Sequence, residues 1–413
     1  MATLTGLKVL YLMYNGLIRP SGEQSLNFHR LRALEWAGAR TWVAAQEAPE
    51  DMTEGRMAEV RTEVAAFAPS AEILFYRRRA AWPRKMVREL TELCREEGIE
   101  LLIFTQVQNF MAVRGIKGAT GIPALWDCRA GADARLLVEG GPIRRLKNAA
   151  FRRAYGLAAR LSDHMLVISE KHAEHMASRF SYPRTRMTVA PNGTDTEVFR
   201  PDPEARAALR EELGILPEQL VVIYCGRIQP WQCLPESLAL FGHLRGARPS
   251  AHLLMLTPDL NDGRTFARTL LDENTCTVVS APHREVPRYL AAADIGLLLR
   301  RPTPRNAVAS PTKFAEYIAC GLPIAIGPGV GDYSELVADR RLGIVIDSDS
   351  PDTFPSAARE LLALVGDEGG GTARRCRETA VELLGVPRQR ERFVSAVAKA
   401  AGREDPLESA SDD

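Results

Sequence analysis

The sequence predicts an α/β chain made of two doubly wound, parallel-sheet domains. Three observations lead there. Short apolar runs alternate with longer helical patterns throughout, the runs fall into two series, and a turn-rich break separates them. In the first series, strands are expected at 8–13, 41–45, 72–76, 101–104, 124–127 and 165–168. In the second they are expected at 220–225, 253–257, 277–280, 295–299, 323–327 and 343–346. Helical stretches such as 24–37, 84–97 and 143–159 lie between them, the pattern of sheets covered on both faces.

The break is centred on Pro191-Asn192-Gly193, a strong turn signal, with Pro201 and Pro203 stiffening the chain beyond it. It sets an N-terminal domain at 1–192 and a C-terminal domain at 193–385. Residues 402–413 are polar and acidic, and are expected to form a disordered tail.

The 413 residues carry a net charge of +1, so no bulk field draws the chain toward nucleic acid or acidic lipid. Seven scattered cysteines with no C-x-x-C pair read as reduced thiols without a zinc site. No signal-peptide layout opens the chain, and no apolar run has the length of a membrane span. These features predict a soluble, cytoplasmic protein. Arg144, Arg145, Lys147, Arg152 and Arg153 make one helix basic, which leaves peripheral contact with acidic lipid open beside a solvated face.

The most informative stretch runs from Ser310 to Pro323. Ser310 is a good helix N-cap and Pro311 suits the first helical position. Unpaired first-turn amides near Thr312, the helix dipole and the Lys313 ammonium together favour a phosphate. Glu316, about one turn on, offers a carboxylate to a diol such as a ribose. Gly321 then stops the helix before a buried strand. An ordinary capped helix is the plainer reading; phosphate cradle, cation and diol acceptor within seven residues suggest a nucleoside diphosphate.

This stretch resembles the nucleotide-sugar site of the retaining glycosyltransferases of family 4, some of which carry an S-P-T-K-x-x-E-Y variant. Pro191-Asn192-Gly193-Thr194-Asp195 with Phe199 likewise resembles that family's crossover between domains. The resemblance implies a GT-B architecture, two Rossmann-like domains facing a central cleft, with a helix at about 386–401 returning to the first domain. It further implies a nucleotide sugar bound in the C-terminal domain, an acceptor bound in the N-terminal domain, and transfer with retention.

Residue by residue, Gly226 and Arg227 match the family's diphosphate-binding G-R-(x)4-K, but its lysine is Gln232 here. Arg227 also reads as a plain loop arginine. The first glutamate of the family's E-x7-E is Val308, and the loop before it offers Arg300, Arg305 and Asn306 instead. Gly329, Gly331 and Asp332 fall, by resemblance, beside the donor sugar. Gly16, Ser21 and Gly22 occupy the place of the acceptor loop, or form a simple strand-to-helix connection. Asp127 and Arg129 end a strand as acceptor or catalytic residues, or pair with each other. Asp347-Ser348-Asp349 spells D-x-D, but its place before Pro351 suits a helix-start turn. Arg227, Lys313 and Asp127 are the expected catalytic residues, no metal or cofactor is expected, and a UDP- or GDP-linked donor is. A small soluble acceptor, as in antibiotic assembly, is the expected partner. Polysaccharide or glycolipid assembly, a sugar-nucleotide epimerase and a non-catalytic nucleotide-sugar-binding relative remain alternatives. Oligomeric state is left open.

Overall fold

The computed structural model describes residues 4–14, 16–19, 22–78, 84–130, 142–270, 275–367 and 369–405. The chain divides into two compact units, Met1–Pro191 with Pro387–Asp413, and Asn192–Val386.

In the first unit, β1 (Lys8–Tyr14), β2 (Arg40–Glu47), β3 (Glu72–Arg77), β4 (Leu101–Phe104), β5 (Ala124–Asp127), β6 (His164–Val167) and β7 (Met187–Val189) form one sheet. Its order is β3-β2-β1-β4-β5-β6-β7, and every pairing is parallel. Strand periodicity sends Val9, Tyr11 and Met13 to one core and Leu10 and Leu12 to the other, so helices cover both faces. β7 was not expected: Met187-Thr188-Val189 is a run broken by a polar residue between Arg186 and a Pro-Asn turn. The helix Val386–Ala400 buries Phe393, Val394 and Val397 in the first of these cores. The expected disordered tail needs correction at its start. Arg403 bonds the Thr5 carbonyl (3.0 Å) and pairs with Glu100 (3.2 Å), and Lys399 pairs with Asp405 (2.8 Å). Residues 406–413 lie outside the described residues.

In the second unit, β8 (Val221–Cys225), β9 (His252–Leu256), β10 (Cys276–Val279), β11 (Ile295–Leu298), β12 (Ile324–Ile326) and β13 (Gly343–Val345) form a second parallel sheet, ordered β10-β9-β8-β11-β12-β13. Both sheets reverse direction of winding between their first and fourth strands, at β1/β4 and at β8/β11. Open α/β sheets bind ligands at the carboxyl ends of strands beside such a reversal.

The basic helix, Pro142–Leu161, leaves Leu146 72% exposed beside its cations. No described helix is long and apolar enough to cross a membrane.

Candidate functional site

The helix after β11 places the strongest candidates, with one correction to its start. It runs Thr312–Ala319 with Pro311 in the N-cap position, and no side chain caps it. Ser310 therefore does not cap. The Ser310 hydroxyl turns sideways instead, accepting from the Asn192 amide (2.8 Å) and bonding the Tyr333 hydroxyl (2.8 Å). Asn192 Nδ2 also donates to the Ser310 carbonyl (2.7 Å), so the crossover turn is tied to this helix. The Phe314 amide donates to the Pro311 carbonyl (3.0 Å), so it is the Thr312 and Lys313 amides that keep their appeal for an anion.

Glu316 is 1% exposed. Its two oxygens are held by Lys313 Nζ (2.5 Å) and His283 Nε2 (3.3 Å). Burial alone would raise its pKa, but the Lys313 charge and the His283 and Lys313 hydrogen bonds outweigh that and hold the carboxyl below its ordinary value. Burial likewise pulls Lys313 down, while Cys225 and Glu316 reverse the effect and keep the ammonium charged. The result is an ionised buried carboxylate and a charged lysine at the end of β8. His283 has no motif around it; its only signal was its place after the carboxyl end of β10.

Arg227 follows β8 with a 69% exposed side chain, touching Asp259 at 3.3 Å. Asp259 also accepts from the Ile228 amide (2.8 Å). Such an exposed pair contributes little, so the guanidinium can exchange Asp259 for a ligand. Gln232 accepts from the Tyr224 hydroxyl (2.8 Å), which also bonds the Arg227 carbonyl (2.8 Å), so Gly226, Arg227 and Gln232 form one built turn. Asn306 is fully buried and braces its loop through the Arg301 carbonyl (2.8 Å). Its own carbonyl accepts from the Gly331 amide (2.9 Å), tying the glycine loop to the 300–309 loop. Gly331 has φ +49°, and a Cβ there would stand 2.0 Å from the Ala309 oxygen, so only glycine fits. Gly329 lies in the same loop, and Asp332 leads into the helix Tyr333–Arg340. Val308 is buried, an apolar contact where the family motif has a carboxylate.

In the first unit, Gly16 (φ +116°) packs on Asn27, whose Nδ2 donates to its carbonyl (3.0 Å). The Leu17 amide donates to Glu47 (2.8 Å), so this connection is firmly held. Gly22 opens the helix Gly22–Trp36, while Ser21 lies outside the described residues. Asp127 is 1% exposed and accepts from Tyr11 (2.9 Å) and Arg129 (2.6 Å), with Arg30 at 3.6 Å. Burial opposes its ionisation, but Arg129 and Arg30 more than offset that and lower its pKa. Asp127 and Arg129 thus do form a buried ion pair; Tyr11 and Arg30, its other members, carried no sequence signal.

Among the described residues no group of three or more His, Cys, Asp or Glu could hold a metal ion. Asp347 spends its carboxylate on the Asp349 amide (3.0 Å) and the Ser350 hydroxyl (3.0 Å), a turn that leads into the helix after Pro351.

Two family models match the chain: Glycosyltransferase Family 4 over residues 28–198, and Glycosyl transferases group 1 over 205–382. A D-inositol 3-phosphate glycosyltransferase of Segniliparus rotundus is 27% identical over 260 residues, 60% of this chain and 55% of the relative. A GDP-mannose-dependent alpha-(1-6)-phosphatidylinositol monomannoside mannosyltransferase of Mycolicibacterium smegmatis is 28% identical over 207 residues, 49% of this chain and 53% of the relative. The chain thus spans about half the length of the curated relatives it matches. The Anabaena protein HepE, solved in complex with UDP-glucose, superposes with a TM-score of 0.70 at 15% identity, over 95% of this chain and 99% of HepE. Together with the two parallel sheets, these matches place the chain in the family 4-like group of glycosyltransferases, with the GT-B fold.

Proposed function

We propose that this chain transfers a sugar, with retention at the anomeric carbon, from a nucleoside diphosphate sugar held by the Asn192–Val386 unit. The observation that carries the reading is the buried, ionised Glu316, clamped between Lys313 and His283 one turn inside an uncapped helix N-terminus. A ribose diol would take over hydrogen bonds on Glu316, and the diphosphate would sit against the first-turn amides. Departure of the diphosphate develops negative charge, which Arg227, Lys313 and those amides are placed to stabilise. With cations and amides meeting the phosphate charge, and Asp347 committed to its own turn, the proposed reaction needs no divalent metal. No side chain is assigned as a covalent nucleophile; in this reading the donor's own phosphate takes the acceptor proton on the same face.

Both curated relatives have names that carry an inositol acceptor. That supports a cyclitol acceptor, either free, in line with the small soluble acceptor expected from the sequence, or lipid-linked. Incubating the full chain with UDP- and GDP-sugars, with and without inositol, inositol phosphate or phosphatidylinositol, tests the proposal. Glycosylated acceptor by mass spectrometry, with acceptor-dependent release of nucleoside diphosphate, is the expected result. Acceptor-independent release of free sugar would favour an epimerase-like activity instead, and no turnover of any donor would favour a binding protein.

A further inference from the structure

The sheet of the second unit places two arginines at its reversal point: Arg227 just after β8 and Arg300 just after the adjacent, parallel β11. Their environments are opposite. Arg227 is exposed and has a carboxylate partner, whereas Arg300 is half-buried and pairs with no carboxylate among the described residues. The Arg300 guanidinium makes one long hydrogen bond, from Nη1 to Asn306 Oδ1 at 3.3 Å, and its buried Nε has no partner. Its titratable neighbours are Tyr224, Tyr317 and Cys233, which burial keeps neutral, and a second cation, Arg305, which lies over the Trp231 ring at 4.5 Å. Burial with no countercharge pushes the guanidinium down to about 10.

Arg210 of the same unit shows what a purely structural buried arginine looks like. It bonds the carbonyls of Ala292 (3.0 Å), Pro217 (2.8 Å) and Gln219 (2.9 Å) and the carboxylate of Asp294 (2.8 Å). A buried charge left unsatisfied is costly, and Arg300 is left so at the place where this fold class binds ligands. The residue as a whole is half-buried, with its Nε enclosed. It also stands beside Tyr224, whose hydroxyl is shared by Gln232 and the Arg227 carbonyl.

We propose that Arg300 binds an anionic oxygen group of the donor, either the β-phosphate of the nucleoside diphosphate or a carboxylate on the transferred sugar. This rests on the nucleotide-sugar reading above and adds a third cation to Arg227 and Lys313. A planar guanidinium with free N–H groups suits either anion, because both accept two parallel hydrogen bonds. The loss of a cation at Gln232 and of a carboxylate at Val308 both leave room for this role: positive charge is supplied from the end of β11, and among the described residues no carboxylate pairs with it.

The test is calorimetry on the full chain, comparing wild type with Arg300→Met and Arg300→Lys. The probes are UMP, GMP, UDP, GDP, UDP-glucose, UDP-glucuronate, GDP-mannose and GDP-mannuronate. If the anion is the β-phosphate, Arg300→Met weakens the diphosphate and its conjugates by about 10- to 100-fold while the monophosphate is unchanged. If it is a sugar carboxylate, wild type prefers the uronate conjugate and Arg300→Met loses that preference alone. Arg300→Lys should retain part of either effect. Removing an unpaired buried charge should leave the thermal midpoint of Arg300→Met equal to or above that of wild type; a clear drop assigns Arg300 to the scaffold and overturns the proposal. Wild-type affinities for every probe in Arg300→Met also overturn it. A wild-type chain that binds no nucleotide removes the underlying nucleotide-sugar reading instead, and the two failures are thereby distinguished.

Discussion

Single residues carry the proposed chemistry through charge held in place before a ligand arrives. Lys313 is kept charged by Glu316 and Cys225 in spite of burial, and Arg227 stands exposed at the end of β8. Removing one preorganised donor to a departing phosphate costs on the order of 100- to 1,000-fold in rate. Lys313→Ala and Arg227→Ala should therefore each lower kcat by about that factor, with a smaller change in donor KM. Steady-state kinetics with saturating donor checks this, and a variant with near-full kcat removes its residue from the leaving-group site. Lys313 and Glu316 were legible because their spacing on one helix turn is a chemical statement in itself. Arg300 was legible only as one of several polar candidates in the loop before Val308, and His283 was not legible at all. What marks the one is a missing partner and the other a contact 33 residues away in sequence, and neither is a property of local sequence.

At the scale of elements, the same residue types serve different geometry from the one the sequence suggests. Ser310 before a proline has the pattern of a cap, yet it joins Asn192 to Tyr333. Ser310→Ala should leave the part-buried Asn192 amide short of its partner and destabilise the second unit by about 1–3 kcal/mol. Urea unfolding with unchanged m-value would show it, whereas a midpoint equal to wild type would make the tie energetically silent. Gly331→Ala should be more damaging, because its Cβ would meet backbone rather than a flexible side chain. Strands were readable wherever apolar runs were four residues or more. β7 was not, because Thr188 interrupts its short run, whereas the equally short edge strand β13 lies in the apolar run that ends at Ile346.

For the whole molecule, two buried histidines of the first unit set an acid limit. Burial, with Lys399 and Arg186 adding for one and His175 for the other, pushes His164 down to about 4 and His172 down to about 3. Folded, they stay neutral below pH 6.5, while the unfolded chain takes up those protons; stability is therefore lost as pH falls from about 6.5 toward 4. At pH 5 this amounts to about 2 kcal/mol for each histidine relative to pH 7.5. Thermal midpoints against pH should show that slope, and His172→Gln should flatten it; an unchanged slope would place the acid sensitivity elsewhere. Transfer activity should persist in excess EDTA, and loss restored by magnesium or manganese would refute the metal-free phosphate site. The two doubly wound domains were legible because alternation of strand and helix recurs along the entire chain, whereas the acceptor's identity depends on side chains brought together across the fold. The central claim is that Glu316 holds the ribose of a nucleoside diphosphate. Calorimetric titration of UDP and GDP into wild type and Glu316→Ala tests it most directly: one nucleotide should bind wild type and bind the folded variant at least about tenfold more weakly, and equal affinity for the two proteins would contradict the account.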